Sequence, residues 1–248
     1  MTESESLIKE IAQSIKNASR CVMLSGAGLS AESGIATFRQ SEDSLWSQFK
    51  PEELASPEGF LRQPEVVWDW YQWRRQQVEE AQPNAAHHAI AWLQQRYPVT
   101  LVTQNVDGLL QRAGCESVLE MHGNIMKNTC FSDNCSYVAD VVDTHAKLTR
   151  CPQCDEGYLR PGVVWFGEAL NYKLLQQIET ACLDCDLFFS IGTSSQVYPA
   201  AGLAQIAMSR GARCIEINPE MTPLSAQADG ALAMAATAAF EAIKAALE

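Results

Sequence analysis

Short apolar runs recur along the chain, and their apolar positions are nearly continuous rather than alternating. Continuous apolarity over four to six residues is typical of parallel strands that are buried on both faces. We therefore predict a strand at each run. The predicted strands are residues 21–25, 99–103, 117–121, 186–191 and 212–217.

The stretches between these runs place apolar residues at helical intervals, as Leu7, Ile8, Ile11 and Ile15 do near the amino terminus. Strands that alternate with helices predict an α/β fold, here a Rossmann-like, doubly wound parallel sheet. Besides the amino-terminal helix, the predicted helices are one that begins at residue 32 and residues 65–81, 85–96, 170–182, 199–209 and 231–247.

Each predicted strand is followed by a loop rich in Gly, Asn, Asp, Gln, Ser or His. Ligands of open parallel sheets bind outside the carboxyl ends of the strands, so these loops are expected to line one crevice. In chain order the loops read GAGLSAESG, QNVDG, HGN, GTSSQ and NPE.

Two stretches interrupt the alternation of strands and helices. Residues 38–57 are polar and acidic, and they are long enough to form a lid over a ligand. The second stretch contains four cysteines, which predicts an inserted module. We expect one domain over residues 1–248, with a large part formed by 1–35, 84–123 and 160–248 and a small part formed by 36–83 (helical) and 124–159.

The four cysteines form two short pairs, Cys130-x4-Cys135 and Cys151-x2-Cys154, separated by 15 residues. This spacing is typical of a structural zinc ribbon, in which four thiolates fill the tetrahedral metal and leave no position for water. The alternative, four unrelated buried thiols, does not suit their polar, turn-rich surroundings. A similar pair, Cys182 and Cys185, runs into an apolar strand and is expected to pack in the core.

The loop after the first strand contains Gly26, Gly28 and Ala31, which fit the G-x-G-x-x-G/A pattern of dinucleotide-binding turns. A purely structural turn explains the same glycines equally well. The acidic residue that usually follows about 20 positions later at the end of a second strand is missing from its expected place. Any dinucleotide is therefore expected to bind differently from that of an ordinary dehydrogenase.

His122 ends the third predicted strand, where a neutral imidazole can act as a general base in the crevice. The alternative is a structural histidine whose ring nitrogens are hydrogen-bonded within the protein.

Gln104, Asn105 and Asp107 follow the second strand, and their side chains suit hydrogen bonds to a ribose or a carboxamide. A tight turn built on Asn-Val-Asp-Gly is equally compatible with them. His87 and His88 lie in a helical pattern and are expected to face solvent or to cap packing.

Composition narrows the functional class. The 248 residues include 18 basic and 30 acidic ones, a net charge of -12, which argues against binding to nucleic acid or to an anionic membrane. The longest apolar stretch, residues 231–240, is too short to cross a bilayer. The acidic amino terminus does not resemble a signal peptide, and nine cysteines form an odd number. We therefore expect reduced thiols and a cytoplasmic protein.

Several motifs together resemble the sirtuin family of NAD-dependent protein deacylases over roughly residues 20–220. The motifs, in order, are GAGLSAESGIATFR, TQNVDGL, HG, the two cysteine pairs, VVWFGE, GTSSQVYPAAG and INPE. Tyr71 and Arg74 in WYQWRR match the Tyr-x-x-Arg that binds acidic acyl groups in the subgroup similar to mammalian sirtuin 5 and the bacterial CobB enzymes. For Arg74 alone, a solvated helix position is the alternative.

The resemblance implies NAD and zinc as cofactors and acyl-lysine proteins or peptides as substrates. In that family the acyl oxygen attacks C1′ of the nicotinamide ribose, nicotinamide leaves, and an alkylimidate forms. His122 is implied as the base that activates a ribose hydroxyl, which yields lysine and O-acyl-ADP-ribose. Asn105 is implied to orient ribose and water.

The remaining implied contacts fall into two groups. Those to NAD are Gly26, Ala27, Gly28, Ser30, Glu32, Ile35, Phe38, Arg39, Gln104, Asn105, Asp107, Gly192, Thr193, Ser194, Asn218, Pro219 and Glu220. Those to the acylated substrate are Tyr71, Arg74, Val164, Trp165, Phe166, Gly167, Glu168, Val197 and Tyr198.

The chain departs from the family pattern at three places. Ala36 replaces the usual proline, QSEDSLW replaces a glycine-rich stretch after Arg39, and Ala236-Thr237 replaces a Leu-Pro. The first two are expected to alter the lid, and the third the adenine contact. Two other functions remain open from the sequence: ADP-ribosyl transfer to protein, and NAD-binding regulation without catalysis.

Overall fold

The computed structural model describes residues 2–35 and 50–248 of the chain. Within them, six strands form a parallel sheet in the order β3-β2-β1-β7-β8-β9. This arrangement confirms the predicted α/β class. The strands are β1 (Cys21–Ser25), β2 (Val99–Thr103), β3 (Leu119–Glu120), β7 (Leu187–Ile191), β8 (Arg213–Ile217) and β9 (Gly230–Leu232).

Side chains of β1 alternate between two apolar layers. Cys21 and Met23 point into one buried cluster, and Val22 and Leu24 point into another on the opposite face. Both faces of the sheet are therefore covered, which explains the continuous apolar runs. The first cluster is covered by helices α1 (Glu3–Asn17), α5 (Ala85–Gln94) and α9 (Ala236–Leu247), and the second by α7 (Tyr172–Asp184) and α8 (Leu203–Ser209).

Two predicted helices are partly wrong. The glycine turn after β1 leads into two 3-10 turns, Ala27–Leu29 and Ala31–Ser33, and not into a helix that begins at residue 32. The alanine-rich run from 231 begins in β9, which pairs in parallel with β8, and the helix starts only at Ala236. Pairing to the edge of the sheet thus overrides the helical propensity of alanine at these positions.

A second, antiparallel sheet has the order β5-β4-β6 among the described residues. It packs with three helices around a third apolar cluster that contains Phe60, Tyr71, Ile125 and Trp165. The strands are β4 (Gly123–Cys130), β5 (Val138–Asp140) and β6 (Leu159–Val163); the helices are α2 (Pro51–Leu54), α3 (Pro57–Arg62) and α4 (Pro64–Glu80). A short helix, α6 (Leu109–Arg112), and a 3-10 turn, Ala200–Gly202, complete the described elements.

No helix among the described residues is long and apolar enough to cross a membrane.

The four cysteines of the predicted ribbon come together at the end of β4. Their Sγ atoms all lie within 4.8 Å of one another. The Sγ atoms of Cys130 and Cys154 are 3.6 Å apart, and those of Cys135 and Cys151 are 3.7 Å apart. Thiolates on a tetrahedral zinc are separated by about 3.8 Å, so the cluster has the dimensions of a zinc site.

Gly157 leaves room for this cluster, since a Cβ at that position would lie 2.7 Å from Cys130 Sγ. The cluster is also remote from His122: Cys130 ends the strand that Gly123 begins, roughly 20 Å away along the chain direction. A metal held here has a structural role, because four thiolates complete its coordination. Cys182 and Cys185 are buried in the apolar core, as expected.

We expect Cys151→Ser to abolish zinc binding and to unfold the small sheet. Cys151 is fully buried within the cluster, and structural zinc contributes about 10 kcal/mol or more to folding. Metal analysis by mass spectrometry should give one zinc per wild-type chain and none in the variant. Cys182→Ser, which changes an equally buried cysteine outside the cluster, should retain one zinc. Zinc-free active wild-type protein would contradict this assignment.

Candidate functional site

The loops after β1 and β7 pack directly against each other through glycines. The Gly28 N–H donates to the Gly192 carbonyl oxygen at 2.8 Å. A Cβ on Gly28 would lie 2.7 Å from Gly192 Cα, and one on Gly26 would lie 2.9 Å from the Gly192 oxygen. These glycines therefore have a structural role in addition to any contact with a pyrophosphate, and the amide of Gly28 is already paired.

Ser30 lies at the centre of a buried hydrogen-bond network below this turn. Its Oγ donates to Asp107 Oδ2 at 2.7 Å and accepts from Asn105 Nδ2 at 3.2 Å. His87 Nε2 is 3.5 Å from the same oxygen. His87 Nδ1 accepts the Asn84 N–H, so the neutral ring has its proton on Nε2, facing Ser30. The Ser30 hydroxyl proton is thereby directed to Asp107.

His87 itself is fully buried, so the expectation that it faces solvent is wrong for this residue, whereas His88 is exposed. His87 lies in the capping box that begins α5. Burial, with a smaller effect of the His88 charge, lowers the pKa of His87 from 6.5 to about 4. It is therefore neutral at pH 7. The sequence signal for this position is the histidine three residues after the N-cap Asn84, which forms a capping box.

Asn105 is held in one amide orientation by this network. Its Nδ2 donates to the Gly26 carbonyl oxygen at 3.0 Å and to Ser30 Oγ at 3.2 Å, which uses both amide hydrogens. The Oδ1 atom is thus the acceptor that the side chain can offer to a ligand hydroxyl or to water.

Asp107 is nearly buried, and its carboxylate also accepts the Leu109 N–H at 2.9 Å. Burial raises its pKa, while hydrogen bonds from Leu109 and Ser30 and the charges of Arg112 and Arg74 act in the opposite direction. A carboxylate held in this way can accept an additional N–H, such as that of a carboxamide.

His122 is oriented by the neighbouring loop. Its Nδ1 lies 2.9 Å from the Gln104 carbonyl oxygen, so Nδ1–H donates there and Nε2 retains the lone pair. Burial lowers the pKa of His122, an effect that the hydrogen bond to Gln104 only partly offsets. The imidazole is therefore neutral at pH 7 and competent as a general base.

Gln104 also has a buried Nε2 without a hydrogen-bond partner among the described residues. Unpaired buried donors are costly in folded proteins and commonly bind a ligand or water. An acceptor-rich ligand such as a dinucleotide ribose satisfies this donor, so the residues present fit NAD.

The exits of β7 and β8 are joined in a similar way. Asn218 Nδ2 donates to the Thr193 carbonyl oxygen at 2.9 Å, and Asn218 Oδ1 accepts the Glu220 N–H. Ser194 is half-buried beside them, and Pro219 and Glu220 are exposed. The strand exits expected to line one crevice are thus connected by hydrogen bonds.

The other proposed NAD contacts differ in their surroundings. The carboxylate of Glu32 accepts from the N–H and hydroxyl of Thr237, so it caps α9. Ala27 is exposed, and Ile35 packs at the edge of the third apolar cluster. Phe38 and Arg39 lie outside the described residues, as do Ala36 and the QSEDSLW segment.

The proposed substrate segment, 164–168, is tied to the catalytic side of the crevice. The Val164 N–H donates to the His122 carbonyl oxygen at 2.9 Å, and the Phe166 N–H donates to that of Ala55 at 2.9 Å. Glu168 faces inward, because its carboxylate binds Arg160 and the Trp165 N–H. Phe166, Gly167, Val197 and Tyr198 are exposed.

Tyr71 and Arg74 project from α4 into aromatic surroundings. The Tyr71 hydroxyl accepts from Trp165 Nε1 at 2.9 Å and is fully buried. The Arg74 guanidinium carbon lies 5.0 Å from the Trp70 ring centroid and 5.6 Å from that of Tyr71. Burial lowers the pKa of Arg74, whereas Tyr71 and Asp107 raise it. Arg74 is half-buried, with its guanidinium against these two rings.

Comparisons with known proteins agree on one family. Residues 26–199 match the Sir2 family. An NAD-dependent protein deacylase of Aquifex aeolicus is 47% identical over 212 residues, which cover 84% of this chain and 87% of the relative. One from Ralstonia nicotianae is 48% identical over 215 residues, or 87% of each chain.

Solved structures support the same relationship. A Sir2 homologue in complex with NAD superimposes with a TM-score of 0.90 at 41% identity, covering 99% of this chain and 94% of the other. A mutant Sir2 homologue in complex with 2′-O-acetyl ADP ribose gives a TM-score of 0.89 at 42% identity, covering 100% and 96%. The chain therefore belongs to the Sir2 family, the sirtuins.

Proposed function

We propose that this chain is an NAD-dependent protein-lysine deacylase. The observation that carries the proposal is the neutral, oriented His122, which is bound to the carbonyl group of the residue before Asn105, on strand exits that form one connected network. The names of its relatives and the NAD and acetyl-ADP-ribose complexes of similar structures support the same activity. NAD is a co-substrate whose ribose C1′ accepts the acyl oxygen as nicotinamide leaves.

The residues then have separate roles. His122 Nε2 takes the proton of a ribose hydroxyl, and Asn105 Oδ1 orients ribose and water. Asp107 and Ile35 contact the nicotinamide. The turn at 26–30, Gln104 and the loops at 192–194 and 218–220 hold the remainder of NAD. In this arrangement NAD lies between a large part (1–35, 84–123, 160–248) and a small part (36–83, 124–159) of one domain.

The substrate is an acylated lysine in a polypeptide that binds against 164–168 and against Val197 and Tyr198. The side chains of Phe166, Val197 and Tyr198 are exposed and apolar in large part, which suits a peptide bound as an added strand. The predicted cytoplasmic location and the absence of nucleic-acid binding remain predictions.

We further propose that the enzyme removes succinyl and malonyl groups as well as acetyl groups. Arg74 is a cation in low-dielectric, aromatic surroundings, where a carboxylate forms a strong bidentate pair with a guanidinium. Tyr71 is positioned beside it by Trp165.

The pH dependence of turnover should report the neutral form of His122. Because burial lowers its pKa, the base loses its activity only as pH falls below 6.5, so kcat/KM should have an acid limb with a midpoint below 6.5. His122→Ala should abolish that limb and reduce turnover by about 10²- to 10⁴-fold, with little change in thermal stability or NAD affinity.

The exposed His145 provides a control, because His145→Ala should leave both rate and pH profile near those of wild type. Turnover near the wild-type rate in His122→Ala would remove His122 from the mechanism.

Arg74→Met should separate the acyl groups. Removing one partner of a buried charge pair costs about 2 to 5 kcal/mol, or roughly 30- to several-thousand-fold in kcat/KM for a succinyl peptide. Acetyl-lysine lacks the carboxylate, so deacetylation should remain within a few fold. The measurement is kcat/KM for acetyl, succinyl and malonyl versions of one peptide. Arg62→Met changes an exposed arginine and should affect none of them. Equal losses for acetyl and succinyl peptides in Arg74→Met would contradict acyl selection by this residue.

A further inference from the structure

Strand β4 contains a bulge close to the catalytic side of the crevice. Asn124 is opposite Gly162 in β6, but the next paired residue, Asn128, is opposite Pro161. Residues 125–127 therefore have no partner of their own in β6. Proline has no N–H to donate, so the carbonyl groups of the bulge require donors from elsewhere.

The Val141 N–H donates to the Met126 carbonyl oxygen at 2.9 Å, and Arg75 of α4 supplies donors to the other two. Its Nε donates to the Ile125 carbonyl oxygen at 2.8 Å, and Nη2 donates to the Lys127 carbonyl oxygen at 3.1 Å. The same Nη2 donates to Asn128 Oδ1 at 2.7 Å, and Nη1 donates to Gln72 Oε1 at 2.8 Å. The planar guanidinium thus binds one short stretch of backbone from a single helix position.

The burial of Arg75 is unusual for a cation. The side chain is 0% exposed, and none of the ion pairs in residues 2–35 and 50–248 includes it. Carbonyl dipoles and the Trp68 ring, 5.1 Å from the guanidinium carbon, replace water around the charge. Desolvation lowers its pKa to about 10, so it remains charged at neutral pH. A charge buried without a carboxylate is costly unless its donors are hydrogen-bonded, and four hydrogen bonds hold the Arg75 guanidinium here.

The same bulge is bonded to the loop that carries Asn105 and Asp107. The Ile125 N–H donates to the carbonyl oxygen of Val106, the residue between them, at 2.9 Å. Ile125 therefore binds Arg75 with its carbonyl group and the catalytic loop with its amide. His122 directly precedes the strand that contains the bulge.

We propose that Arg75 is a positioning residue that sets the distance between the acyl-binding face of α4 and the catalytic loop. A succinyl-lysine is held at its carboxylate by Arg74 and must also present its amide oxygen to the ribose, so it depends on this distance. Acetyl-lysine is not held by Arg74 and depends on it less. The inference rests on the proposed role of Arg74 in acyl recognition.

Arg75→Lys tests the inference, because it keeps the charge and the aliphatic stem but loses the fork that binds Ile125 and Lys127 together. Misplacement by about 1 Å can cost up to 10²-fold in rate. We expect the ratio of succinyl to acetyl kcat/KM to fall about 10- to 100-fold, while KM for NAD stays within about twofold. Amide hydrogen exchange at Ile125 should also become faster, because the bulge loses its anchor.

Gln76→Ala provides the matched control. Gln76 lies next to Arg75 on α4, and its Nε2 donates to the Thr144 carbonyl oxygen at 3.2 Å. This hydrogen bond also joins α4 to the chain near the small sheet, but it does not involve the bulge. It should leave the acyl ratio and the Ile125 exchange rate unchanged. If Arg75→Met is also made and fails to fold, Arg75→Lys still provides the test.

The outcomes separate this inference from the proposed function. An unchanged acyl ratio in Arg75→Lys, together with a collapsed ratio in Arg74→Met, would overturn the positioning role and leave the acyl selection intact. An unchanged ratio in Arg74→Met would instead overturn acyl selection. In that case the rate of amide hydrogen exchange at Ile125 tests the positioning role on its own. An unchanged rate in Arg75→Lys would overturn that role as well.

Discussion

The close contact between the loops after β1 and β7 determines the geometry of the whole crevice. Gly26 and Gly28 lie against Gly192 with no space for a Cβ, so the first loop must turn at once after its strand. That turn positions Ser30 so that its hydroxyl group is hydrogen-bonded to Asn105 and Asp107, which lie in the loop after the neighbouring strand β2. A larger residue at any of these glycines would separate the loops and disrupt this network.

The network fixes hydrogen-bond polarity as well as position. Asn84 directs the tautomer of His87, His87 faces Ser30, and Ser30 donates to Asp107. As a result Asn105 presents a carbonyl oxygen, and a separate bond from His122 to Gln104 leaves the His122 Nε2 lone pair available. Acceptors and donors are thus preorganised before any ligand binds, which is the usual basis of efficient proton transfer.

The small sheet extends the same constraint to helix α4. Strand β4 begins next to His122, ends at the thiol cluster and contains the bulge whose Ile125 carbonyl group binds Arg75 of α4. The thiol cluster is therefore far from His122 but lies at the end of the strand that joins His122 to the residues bound by α4.

The sequence predicts the parts of this arrangement that depend on periodicity or spacing. Continuous apolar runs predict the four five-residue strands of the large sheet, β1, β2, β7 and β8, and a fifth run contains the two-residue β3. Two cysteine pairs predict the thiol cluster. Contacts between distant backbone segments have no such signal. The bulge carbonyls bound by Arg75, the cap that Glu32 forms on α9, and the inward-facing Glu168 depend on tertiary packing that single-sequence patterns do not encode.

The most direct test of the account is the dependence of nicotinamide release on acylated substrate. Wild-type protein would be incubated with NAD alone, with NAD and an unmodified lysine peptide, and with NAD and the acetyl or succinyl form of that peptide. We predict release only with the acylated peptides, with one nicotinamide and one O-acyl-ADP-ribose formed for each lysine freed. Release without acylated peptide, accompanied by ADP-ribose on protein, or NAD binding without any release, would contradict the assignment of deacylase activity.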